Sequence, residues 1–232
     1  MKRVLVSWSS GKDSAWTLHT LQRDPEVEVV GLLTTLNGQA DRVAMHAVRR
    51  ELLRAQAAAA GLPLKEVDLP WPCRNEDYER LMGGACAQAA SDGVTHVAFG
   101  DLFLEDVRQY RVDNLKPTGL EPLFPLWQRD TRALAQEMVA GGLRSVLTCV
   151  DPKQLSPDFL GREFNQAFLD DLPPGVDPCG ERGEFHSFVF AGPMFQAPLQ
   201  VTLGRRVERD GFHFVDVEPE SRVADLDLPK PR

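Results

Sequence analysis

Short apolar runs alternate with longer segments of helical period through the first half of the chain. Val4 to Trp8 is too short for a helix and rich in β-formers, so it predicts a buried strand. Ser14 to Gln22 repeats apolar positions at Ala15, Leu18 and Leu21 and predicts a helix. Val27 to Thr35 predicts a second strand, and Arg42 to Ala60 a long helix stopped by Gly61. Leu64 to Leu69, Val94 to Phe99 and Pro122 to Leu126 predict further strands. Glu76 to Ala90 and Asp106 to Leu115 predict the helices between them.

This alternation predicts an α/β fold: a Rossmann-like parallel sheet flanked by helices on both faces. Ligands in such sheets bind beyond the carboxyl ends of the strands, so the informative segments are 9–14, 34–46, 70–77 and 100–111. After residue 127 the rhythm loosens. Thr131 to Ala140 reads as a helix, Ser145 to Val150 and His186 to Phe190 as strands. Val201 to Val217 reads as a hairpin turning at Asp210-Gly211. We expect the chain to divide near residue 127, into a larger α/β part over 1–127 and a smaller α+β part over 128–232.

Charge narrows the partners. The 232 residues carry 26 Lys+Arg against 34 Asp+Glu, a net charge of −8. Nucleic acid is therefore not expected as a partner. Cys73, Cys86, Cys149 and Cys179 form no CxxC pair, which fits reduced thiols. The chain shows neither a signal-peptide h-region nor an 18-residue apolar stretch, so we expect a cytoplasmic protein with no membrane partner.

The chemistry begins after the first strand, at Ser9-Ser10-Gly11-Lys12-Asp13-Ser14. Gly11 lets backbone approach an anion, and the following helix N-terminus presents free N–H groups. Lys12 adds a point charge, Ser9 and Ser14 add hydroxyl donors, and Asp13 could hold a magnesium ion or fix the loop. A Walker A motif would need Gly at Val6 and Ser or Thr at Asp13, so this loop is of another kind. At the end of the Val94–Phe99 strand, Gly100 and Asp101 precede Glu105, Arg108 and Arg111. The two arginines share a helix face and could grip a carboxylate or phosphate, and ion pairs on a solvated helix are the bland alternative. Glu181, Glu184 and His186 surround Gly180 and Gly183 on a loop suited to proton transfer or amine binding, or simply to a polar turn. Thr34 lies at the carboxyl end of the second strand, and His46, near the start of the Arg42–Ala60 helix, could face the nucleotide.

The loop resembles the SGGKDS signature of PP-loop ATPases, with Ser10 in place of the first Gly. With the GDLFLED, EPLFPLW and GERGEFHSFVFAGPMF segments, nearly the whole chain is similar to the diphthine–ammonia ligase family. That resemblance implies ATP and Mg2+ as cofactors and α–β cleavage of ATP. It implies a carboxylate substrate adenylated and then amidated by ammonia. Carried over by motif, Ser9, Gly11, Lys12, Asp13 and Ser14 would hold the phosphates, and Gly100 and Asp101 would border the nucleotide. Glu181, Gly183 and Glu184 would match the second-domain motif. Arg182 and His186 stand where the diphthamide enzymes carry Gly and Glu, which looks more like the bacterial branch, for which cobalamin-related amide metabolism has been suggested. A tRNA-modifying PP-loop enzyme and a non-catalytic nucleotide sensor are the rival readings, and a homodimer is allowed by either.

Overall fold

The computed structural model describes residues 1–38, 42–43 and 48–220, with side chains at all but 42–43. Five parallel strands run in the order β4-β2-β1-β5-β6. They are β1 (Lys2–Ser7), β2 (Val27–Asn37), β4 (Leu64–Leu69), β5 (His96–Ala98) and β6 (Glu121–Leu123). A short antiparallel strand, β3 (Arg42–Val43), pairs with the end of β2. The chain winds outward from β1 through β2 to β4, then returns to the other side of β1 for β5 and β6. The order reverses at β1, which is where open α/β sheets bind ligands.

Alternation along β1 divides the core. Val4 and Val6 face one side of the sheet with Leu18 of α1 (Lys12–Gln22) and Leu52 and Leu53 of α2 (Arg50–Ala60). Leu5 faces the other, with Leu33, Val97, Phe99, Cys86 of α3 (Asn75–Ser91) and Leu115 of α4 (Glu105–Leu115). Helices therefore cover both faces, as the pattern predicts.

The second sheet is antiparallel, in the order β8-β7-β10-β9. It comprises β7 (Arg144–Val150), β8 (Phe185–Ala191), β9 (Val201–Arg209) and β10 (Phe212–Pro219), preceded by α5 (Thr131–Ala140) and interrupted by α6 (Gln166–Asp171). Its apolar side chains Leu147, Phe185 and Phe188 belong to the same buried cluster as Val4, Val6 and Leu18. The two sheets thus share one core through the face that carries α1.

Two expectations need correction. The helix read over Arg42–Ala60 begins only at Arg50, because Arg42 and Val43 take part in the β2 ladder. The strand read over Pro122–Leu126 is limited to Glu121–Leu123. His46 lies outside the described residues.

Candidate active site

The loop 9–14 connects the carboxyl end of β1 to α1. Ser10 takes a left-handed φ of 71°, the conformation glycine adopts without strain, and its buried hydroxyl finds no partner. The loop is braced from within and from outside. Ser14 Oγ reaches the Gly11 carbonyl at 3.0 Å and lies 3.2 Å from Ser9 Oγ. From the second sheet, the Val189 N–H donates to the Ser10 carbonyl at 3.0 Å, and the Lys12 N–H donates to Ser187 Oγ at 3.3 Å. Buried Gln56 donates to the carbonyls of Ser10 and Val189, at 3.1 and 2.6 Å, and accepts from the Trp8 indole at 2.9 Å. The phosphate-type loop is therefore a joint between two sheets. α1 begins at Lys12 directly after this loop, the place where a helix N-terminus makes an anion site, and the Lys12 N–H itself is held by Ser187.

Lys12 is almost wholly buried, its ammonium 2.9 Å from Asp13 Oδ2 and over the rings of Phe185 and Phe164 at 5.2 and 5.9 Å. Burial opposes the charge, but Asp13 outweighs it, and the ammonium is held above its ordinary pKa. Among the described residues Asp13 Oδ1 and Asp101 Oδ2 are buried without hydrogen-bond partners, Asp101 facing Arg111 Nε in an ion pair at 3.6 Å. Gly100 brings the loop after β5 against this point: a Cβ there would stand 2.9 Å from the Asp13 carbonyl carbon. Glu181 arrives from the other sheet, accepting from the Leu102 N–H at 2.8 Å. Burial, with Asp13 and Asp101 nearby, pushes its carboxyl up to about 7. Lys12, Asp13, Asp101 and Glu181 thus converge from three separate segments.

The residues of the second motif divide by position. Glu184 is 2% exposed, and its oxygens accept from the Asp177 and Arg182 N–H groups, both at 2.9 Å. Its carboxylate is turned into its own loop, which also needs Gly180 and Gly183 at φ 67° and 84°. His186 sits on β8, and burial and Lys12 lower its imidazole to about 4. It is neutral at neutral pH, so it can exchange hydrogen bonds but cannot serve as an acid there.

Beside the loop a cleft of about 470 Å³ follows the strand ends, bordered by Ser9, Thr34, Tyr78, Phe99 and Arg111. Thr34 is buried with its hydroxyl unpartnered. Arg108 and Arg111 do not act as one grip. Arg108 stacks on Phe124 and Trp127, at 5.2 and 5.1 Å, whereas Arg111 lies over Phe99 and borders the cleft. Glu105 is exposed at the start of α4. Trp71, just beyond β4, is 61% exposed.

Residues 1–120 match the family profile "Diphthamide synthase N-terminal domain", and residues 130–223 match "Diphthamide synthase C-terminal domain". The chain belongs to the diphthamide synthase family. Diphthine–ammonia ligase of Bos taurus is 27% identical over 237 residues, covering 93% of this chain and 88% of that protein. The Homo sapiens ligase is 28% identical over 168 residues, 66% of this chain and 62% of its own length. The Danio rerio ligase is 35% identical over 130 residues, so the similar part spans about half of each, 53% and 49%.

Gln56 and Ser187 had not been singled out in the sequence. Their signal was there: Gln56 falls at helical spacing with buried Leu52 and Leu53, and Ser187 lies in the buried row of β8 between Phe185 and Val189. A polar residue on an apolar stripe must find a partner, and both find the phosphate loop.

Proposed function

We propose that this member of the family is an ATP-dependent ligase that adenylates a carboxylate and amidates it with ammonia. The observation that carries the proposal is the meeting of Lys12, Asp13 and Asp101 with Glu181 across the joint between the sheets. The family's diphthine–ammonia ligases support the choice of reaction.

ATP would lie along the 470 Å³ cleft with its phosphates on the loop. Ser9, Gly11, Lys12 and Ser14 surround them, with Thr34 and Gly100 at the border. Asp13 Oδ1 and Asp101 Oδ2 fit a magnesium ion, which typically takes one or two carboxylates and completes its shell with phosphates and water. Among the described residues no group of three or more His, Cys, Asp or Glu could hold a metal ion. When bound, that ion would neutralise developing phosphate charge.

The carboxylate oxygen attacks the α-phosphorus, and the bond to the β-phosphate oxygen breaks. Pyrophosphate leaves with its charge against Lys12 and the α1 N-terminus. Ammonium gives a proton to Glu181, whose affinity near neutrality suits that exchange. Ammonia then attacks the acyl carbon, AMP departs with the electron pair of the broken bond, and loss of a second proton leaves the amide. Residues 128–232 serve the nitrogen side through Glu181, with neutral His186 as a hydrogen-bonding neighbour and Glu184 and Gly183 shaping the loop.

The test is AMP and pyrophosphate release from ATP, Mg2+, ammonium and a panel of carboxylic acids. Lys12→Met should abolish release. Release of ADP and phosphate instead would overturn the proposal.

A further inference from the structure

The cleft has a second chamber. A cavity of about 190 Å³ lies between α3 and α4 and continues the nucleotide cleft: Ser7, Leu33, Tyr78, Met82, Phe99 and Arg111 border both. Its inner wall adds Cys86, Val97 and Leu115, all buried and apolar. Of its polar lining, Glu79 and Asp113 already bind Asn75, Lys116 and Gln109, and Asn114 lies beside them.

Gly83 and Gly84 interrupt the middle of α3. Each glycine costs a helix interior about 1 kcal/mol relative to alanine. Nothing lies within 4 Å of a Cβ built at either, so close packing does not require them. Gly83 borders the cavity, where a side chain would occupy its space.

Arg111 stands at the junction of the two chambers. Among the described residues its Nε makes no hydrogen bond, its NH1 reaches Tyr78 Oη at 3.5 Å, and it forms a long ion pair with Asp101 at 3.6 Å. A guanidinium held between an apolar cavity and a nucleotide cleft, with donors to spare, is suited to a carboxylate whose body is apolar.

We propose that the α3–α4 cavity is the acyl pocket: it takes the apolar body of the carboxylate substrate, while Arg111 turns the carboxylate toward the nucleotide. This rests on the ligase reading and names its substrate class. An apolar cavity of about 150 Å³ admits benzene, so this one suits a body of about six to eight carbons. None of residues 180–184 lines this cavity, which leaves that loop for ammonia.

The test titrates acetate, hexanoate and benzoate by calorimetry into the full chain holding Mg2+ and α,β-methylene-ATP, which cannot be cleaved between those phosphates. Hexanoate and benzoate should bind at least about tenfold more tightly than acetate, given the extra apolar surface they bury. Gly83→Leu should erase that preference while nucleotide affinity stays within about twofold; Gly83→Ala serves as the smaller filling. Arg111→Met should weaken all three acids. Equal or absent binding of the acids to the unsubstituted chain would overturn the pocket. So would a tenfold loss of nucleotide affinity in Gly83→Leu, which would give the cavity to the base. AMP release separates the two readings. Acids that bind yet never yield AMP sink the ligase and leave the pocket; AMP from a long acid indifferent to Gly83→Leu does the reverse.

Discussion

The Val189 N–H donates to the Ser10 carbonyl at 3.0 Å, so a strand of the second sheet holds the phosphate loop of the first. Ser10 can offer that carbonyl only because its φ is 71°. The departure from glycine at this place in the signature has therefore kept the glycine conformation, at the cost of strain. We predict that Ser10→Gly stabilises the protein by about 1 kcal/mol, by relieving a left-handed residue and removing an unpartnered buried hydroxyl. Thermal unfolding should shift up by about 2–4 °C for a chain of this size. A downward shift would mean that Ser10 Oγ contributes something its surroundings do not show.

Gln56 should be the most costly polar position in the joint. Gln56→Met preserves approximate volume but leaves the Trp8 indole without its acceptor and two carbonyls short of a donor. Destabilisation of about 2–3 kcal/mol is expected in chemical unfolding. Nucleotide binding should weaken with it, because the Ser10 carbonyl loses one of its two anchors. Unchanged nucleotide affinity in the variant would separate the joint from the loop's shape.

Glu181 links pH to both activity and stability. Its folded carboxyl titrates near 7, above its ordinary 4.5. The folded protein thus keeps a proton between those values that the unfolded chain has lost. The resulting stabilisation is full below about 4.5 and is lost as pH rises through 7. Activity runs the other way, since the ionised carboxylate takes the ammonium proton: below pH 7 the rate should fall about tenfold per pH unit. Glu181→Gln should remove both slopes and lower amide formation. A variant that keeps the pH profile would place the titrating group elsewhere.

Glu184 should behave as a support for its loop. With both oxygens on backbone N–H groups, Glu184→Ala should destabilise by about 2–3 kcal/mol. Any loss of activity should be recovered in part at lower temperature, where the loop reforms. Full inactivity of a well-folded Glu184→Ala protein would return this carboxylate to the chemistry.

The parallel sheet was legible because β1, β2 and β5 are built on apolar runs, and runs of that kind are buried on both faces; β4, LKEVDL, was legible from its place between two helical segments. The loop 9–14 was legible because its chemistry is local. Arg42 and Val43 were misread as helix because two residues of ordinary composition can supply a short strand once the end of β2 offers a partner. Arg108 and Arg111 share a helix face, yet their guanidinium groups choose different aromatic partners, Trp127 and Phe99, which spacing alone does not reveal. The pairing of Glu181 with Leu102 spans the two sheets, so only tertiary structure brings it to Asp101. Glu184 and Glu181 look alike in sequence; burial and backbone N–H partners give one to the loop and leave the other near neutrality.

Amide synthesis from ATP is tested most directly with 15N-ammonium, ATP and Mg2+ and an acid that stimulates nucleotide turnover. The predicted result is one AMP and one pyrophosphate for each 15N-amide formed, with all three products lost in Lys12→Met. AMP formed without any 15N-amide, or amide accompanied by ADP and phosphate, would contradict it.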